Sequence, residues 1–143
     1  RIAADASGER VYIIAEDDAV FQRDFLPRLG DALGALQALD PAWDFLHIGY
    51  YDDDCTLRGL DTDDPSACCV ICRPVQVFGL FGAAIRPHGA RVLLERLFPL
   101  EEQIDSALSH VYGALNAYAT RTSLMTAAHS TAADTDIQIL RGA

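Results

Sequence analysis

The spacing of apolar residues changes period several times along the chain. Val11-Tyr12-Ile13-Ile14-Ala15 is a continuous run of β-favouring residues, the pattern of a parallel strand covered on both faces. It leads directly into three acids, Glu16-Asp17-Asp18. From Asp24, read as an N-cap, the period becomes helical. Phe25, Leu29, Leu33, Leu36 and Leu39 share one face, Pro27 is tolerated in the first turn, and Asp40-Pro41 stops the run. Trp43 to Ile48 predicts a second strand ending at Gly49.

Residues 50–66 predict a polar loop carrying Asp52, Asp53, Asp54, Asp61, Asp63 and Asp64. Strands are expected over Ala67 to Arg73 and over Val77 to Ile85, the latter punctuated by Gly79 and Gly82. Pro87-His88-Gly89 opens a short helix striped by Ala90, Leu93, Leu94 and Leu97. Beyond Pro99 a second helix starts near Ile104-Asp105, with Leu108, Val111 and Leu115 facing inward. A last strand region runs from Ala117 to Met125, ahead of a polar tail. Strands alternate with helices and no repeat is visible, so the pattern predicts one α/β domain over residues 1–143.

Composition narrows the functional classes. Half of the residues are apolar and 22% are charged, which excludes a disordered or collagen-like chain. No apolar run approaches the roughly 18 residues of a membrane span. The net charge of −10 comes from 21 acidic and 11 basic residues. With no basic stripe, nucleic acid is not an expected partner. Every basic residue is Arg, so a Walker A lysine, a Schiff-base lysine and a lysine general base are all excluded. An acidic protein that handles an anionic ligand needs a metal ion or helix N-termini to offset its own field.

The acid triplet is the main chemical feature. Ligands of open α/β sheets bind beyond the carboxyl ends of strands, and adjacent carboxylates repel unless a cation or hydrogen bonds hold them. Mg²⁺ or Mn²⁺ takes one or two such carboxylates together with substrate phosphates. A metal-bridged diphosphate and a solvated turn with a helix-capping Asp both fit the triplet. Cys55, Cys68, Cys69 and Cys72 include one C-x-x-C, but a strand would point Cys69 and Cys72 to opposite faces and no second ligand pair follows. Structural thiols are the simpler reading, with metal or redox roles as the alternative. His47 reads as a core histidine, His88 as a helix cap and His110 as a surface residue. The Asp52–Asp64 stretch lacks calcium-loop spacing; it reads as a solvated loop, or as a lid over an acceptor. Gly79 and Gly82 form no dinucleotide fingerprint.

The segment from Tyr12 to Phe21, YIIAEDDAVF, resembles the strand and acidic motif of glycosyltransferase family 25. That family includes bacterial lipooligosaccharide galactosyltransferases and collagen galactosyltransferases. In the same order, WDFLHIG (43–49) is similar to its Trp-Asp strand, and FGAAIRPHGA (81–90) to its segment leading into a helix. QIDSAL (103–108) is similar to its downstream acidic motif, and DTDIQ (134–138) to its closing tail.

The resemblance implies a GT-A-like, mixed but mostly parallel sheet flanked by helices, corresponding to the later part of such a domain and lacking its first strands. It implies metal-dependent transfer of a sugar, galactose from UDP-galactose, to a hydroxyl of a glycan or hydroxylated protein, with inversion. The compartment stays open between a bacterial cytoplasm and the endoplasmic reticulum lumen. On this reading Asp18 contacts Mn²⁺ (or Mg²⁺), Asp17 lies beside it, Glu16 supports through the sugar or a metal-bound water, and His129 is a third ligand. Asp105 is the candidate catalytic base, with a helix N-cap as its alternative role. Two other classes stay open: an inactive transferase-like module that binds carbohydrate or protein, and a metal-dependent hydrolase of diphosphates that releases monophosphate.

Overall fold

The computed structural model describes residues 1–51, the backbone of 56–58, and residues 70–128. Two strands, β1 (Tyr12–Ala15) and β2 (Ala19–Phe21), precede helix α1 (Phe25–Leu39) and strand β3 (Phe45–Gly49). Strands β4 (Thr56–Arg58), β5 (Ile71–Gln76) and β6 (Gly82–Ile85) come next. Helices α2 (Pro87–Leu97) and α3 (Ile104–Val111) lead to β7 (Ala117–Thr120) and β8 (Met125–Ala127). The sheet runs β1-β6-β3-β7-β5-β4, with β8 joining β2 to β3.

This is a mixed α/β fold, and the expectation of a mostly parallel sheet is corrected. Among the described residues only β3 with β7 and β3 with β8 run parallel. The β1·β6, β3·β6, β5·β7, β4·β5 and β2·β8 pairs are antiparallel. Parallel neighbours need a long crossover. β5 and β6 both run opposite to β3 and β7, and the described residues 77–81 between them hold no helix. The expected 77–85 strand is shortened to 82–85, because Gly79 (φ +73°) turns the chain. β4 lies within the stretch read as loop, and the third expected strand is seen over Ile71–Gln76, with residues 67–69 outside the described residues.

α1 matches its sequence pattern closely. It runs from 25 to 39 and buries Phe25, Leu29, Ala32 and Leu36, although Asp24 makes no side-chain cap bond. These residues pack on one sheet face with Trp43, Leu46, Ile48, Tyr118 and Met125. The other face holds Phe45, Ala83 and Ile85 against Leu97 of α2 and Ala107, Leu108 and Val111 of α3. Odd and even residues of β3 therefore enter different cores, which is why all five are buried. In α2, Leu94 departs from the expected stripe and is exposed. No described helix is long and apolar enough to cross a membrane.

β1 is the larger surprise. Among the described residues it pairs with β6 alone and lies at the sheet edge, with Ile13 42% and Ile14 47% exposed. The expected double coverage is absent among the described residues. An apolar run marks a strand, but it does not specify whether anything lies against its faces.

Candidate functional site

The register places the acid triplet at a defined point. Ala15 of β1 is paired with Gly82 of β6, which is paired with Gly49 of β3. β1 and β3 both run antiparallel to β6 and end side by side. Glu16 extends the ladder by donating its N–H to Phe81 O (3.0 Å), and Asp17-Asp18 then turn the chain into β2. The Asp18 carbonyl accepts the N–H of Ala128 at 2.9 Å, so the end of β8 closes onto the motif.

Asp105 reaches the same end of the sheet from the other side. It is the second residue of α3, whose N-cap is Gln103, so the N-cap alternative for Asp105 is corrected. Its Oδ2 accepts the Gly79 N–H at 3.1 Å, and its Oδ1 accepts the Ser106 N–H at 2.8 Å. The positive φ of Gly79 turns that N–H toward the helix. Tyr51 and Phe81 meet edge to face nearby, with ring centroids 4.6 Å apart.

Electrostatics ties these residues together. Partial burial of its carboxyl pushes Glu16 above the ordinary carboxylate range, and the charges of Asp18, Asp17 and Asp105 push it further. Four carboxylates therefore share one end of the sheet and repel, which favours a bound cation. The donor set is hard oxygen, which suits Mg²⁺ or Mn²⁺. Among the described residues no three His, Cys, Asp or Glu side chains already converge as a metal cage. A cation there would draw its remaining ligands from substrate phosphates and water, as Mg²⁺ commonly does.

His129, Cys55, Cys68, Cys69 and the acids from Asp52 to Asp64 lie outside the described residues. Cys72 is buried, and its thiol donates to the Ala119 carbonyl oxygen at 3.4 Å.

The structure places the other histidines clearly. His110 is on the surface, 3.3 Å from Glu102. His88 does not cap its helix. Its Nδ1 instead meets the buried Asp44 Oδ1 at 2.7 Å, while Asp44 Oδ2 accepts the Asn116 N–H at 3.1 Å. The Asp44 carboxylate thereby ties together the starts of β3, β7 and α2. Sequence reasoning assigned Asp44 no role. The available signal was an acid between Trp43 and Phe45 at the head of an apolar strand, where a buried charge requires partners. This knot borders a cavity of about 350 Å³ lined by Trp43, Arg86 and Asn116, at the opposite end of β3 from the acid triplet.

His47 is fully buried, its Nε2 2.8 Å from the Tyr112 hydroxyl, which agrees with the core reading. Desolvation drives its pKa down to about 3, so the folded protein keeps it neutral while the unfolded chain protonates it near pH 6.5. The unfolded state then binds more protons between those values, and stability falls as pH drops from about 6.5 toward 3. His47→Leu is expected to flatten this slope by about 1 kcal/mol per pH unit. Urea unfolding at several pH values reads the effect, and an unchanged slope would contradict it.

No known protein family, curated protein or solved structure matches this chain.

Proposed function

We propose that the chain is a family-25-like, GT-A-type glycosyltransferase domain that moves a sugar from a nucleoside diphosphate donor, UDP-galactose, to an acceptor hydroxyl with inversion. The observation that carries the reading is the meeting of the acid triplet with Asp105 at one end of the sheet, expressed in the raised proton affinity of Glu16.

Asp18 and Asp17 hold Mn²⁺ or Mg²⁺ in this reading, with Glu16 behind them. His129 is the further ligand proposed, and it directly follows Ala128, whose N–H bonds the Asp18 carbonyl. When bound, the metal offsets the negative charge that grows on the departing diphosphate.

Asp105 takes the proton of the acceptor hydroxyl as its oxygen bonds to the anomeric carbon and the bond to UDP breaks. Its carboxylate is held by two backbone N–H groups, those of Gly79 and Ser106, which fix its position and leave no Lys or Arg competing for it in the hydrogen bonds described. Tyr51 and Phe81 supply an apolar wall beside Glu16.

The test is product analysis with UDP-galactose, Mn²⁺ and a panel of hydroxylated acceptors. Transfer predicts stoichiometric UDP and galactosylated acceptor. Release of UMP would favour diphosphate hydrolysis, and intact donor with bound acceptor would favour a binding module.

A further inference from the structure

Among the hydrogen bonds described, Asp105 makes one outside its own helix, accepting the Gly79 N–H at 3.1 Å, since its other partner is the adjacent Ser106. Whatever fixes Gly79 therefore fixes the Asp105 carboxylate relative to the sheet. Glycine has the widest backbone freedom of any residue, and at φ +73° Gly79 occupies only one of the wells open to it. Its neighbours have to supply the restraint.

Tyr51 and Phe81 supply it. Their rings, with centroids 4.6 Å apart, fill the space where a side chain at position 79 would lie. A Cβ on Gly79 would come 2.8 Å from Tyr51 Cδ2 and 2.9 Å from Phe81 Cζ. The backbone closes the same knot. Tyr51 donates its N–H to the Phe78 carbonyl at 2.9 Å, and the Phe81 carbonyl accepts the Glu16 N–H at 3.0 Å. The 78–81 turn is thus tied at one end to the exit of β3, at the other to the acid triplet, and in between to Asp105. Phe81 is buried, so cutting it back opens the core, whereas Tyr51 is only half-buried.

We infer that Tyr51 is a positioning residue, whose ring holds the Gly79 turn against Phe81 and thereby sets where the Asp105 carboxylate stands relative to the acid triplet. It acts through Gly79, and the bond from the Gly79 N–H carries the restraint to Asp105. The catalytic consequence rests on the sugar-transfer reading above, in which Asp105 is the base; the geometric claim stands apart from it. A base tied to the sheet by one bond shifts when the turn relaxes, and a displacement of about 1 Å costs on the order of 10²-fold in rate. The metal-binding acids follow β1 and keep their places, so donor affinity is retained.

Amide hydrogen exchange on the full chain at neutral pH, read residue by residue by NMR, tests the positioning directly. The Gly79 amide is expected to exchange slowly in the wild type and at least about tenfold faster in Asp105→Ala, which removes its acceptor. Tyr51→Ala is expected to match Asp105→Ala at Gly79, with Tyr51→Leu, which keeps more apolar volume, as the second variant should the first unfold. Tyr51→Phe restores the ring and is expected to recover the protection. With UDP-galactose and Mn²⁺, Tyr51→Ala is expected to lower kcat about 10²-fold while donor affinity stays within about twofold, a split that a general loss of stability does not give. The inference is overturned by a wild-type Gly79 amide that exchanges as fast as in Asp105→Ala, by Tyr51→Ala and Tyr51→Leu variants that leave it protected, or by a Tyr51→Phe variant that fails to recover it. Donor affinity that falls in step with rate overturns it as well, placing Tyr51 on the donor. A wild type that transfers no sugar overturns the transfer reading alone, and the exchange pattern still decides what holds Asp105.

Discussion

Asp105→Asn is expected to lower sugar transfer by about 10²–10⁴-fold, the usual contribution of a positioned general base, while donor affinity stays within about twofold. The asparagine keeps one acceptor oxygen, which can hold the Gly79 N–H that ties the loop to the helix, while the Ser106 N–H that bonds the second carboxylate oxygen loses its acceptor. What disappears is the ability to take the acceptor proton. Initial rates and donor titration on the same preparation separate the two effects. Loss of donor affinity in parallel with rate would assign Asp105 to the donor site instead, and an unchanged rate would remove it from the chemistry.

The second large effect is structural and turns on two helical glycines whose surroundings differ. Propensity alone says that Gly→Ala within a helix stabilises by about 1 kcal/mol. At Gly34 in α1 a Cβ would meet nothing within 4 Å, so Gly34→Ala is expected to deliver that gain. At Gly89, in the first turn of α2, a Cβ would lie 2.7 Å from the Asp44 carbonyl oxygen and 3.1 Å from its carbonyl carbon. The obstacle is backbone, which cannot rotate away, and Asp44 is pinned through Arg86, Asn116 and His88. Forced packing of this kind costs about 1–3 kcal/mol, so the sign reverses. Gly89→Ala is expected to destabilise by about 2 kcal/mol. Chemical denaturation of the pair measures both, and equal shifts in the two variants would contradict the close approach of α2 to β3.

The contrast between these glycines also shows what the sequence could reveal. Periodicity described α1 almost to the residue because its apolar face is long and its stops, Asp40-Pro41, are local chemistry. β3 was legible for the same reason, as an apolar run ended by Gly49. Strand direction was not legible. The antiparallel placement of β6 between β1 and β3 is a long-range pairing, and no local residue pattern states it. Nor could the apolar run of β1 say that its faces lie open.

The site divides in the same way. The triplet's position after β1 was legible because a strand followed by acids points beyond a sheet end. The approach of Asp105 is a long-range event made through Gly79, whose positive φ gave only a weak signal as one glycine among several. The Asp44–His88 knot joins residues 44 positions apart in sequence, and neither residue alone announces it.

The metal assignment at the acid triplet is the centre of the functional account, and isothermal titration of UDP-galactose into the full chain tests it most directly. The account predicts binding that needs Mn²⁺ and is lost in Asp18→Asn, with the circular dichroism spectrum unchanged. Equal donor affinity with and without Mn²⁺, or in wild type and Asp18→Asn alike, would contradict it.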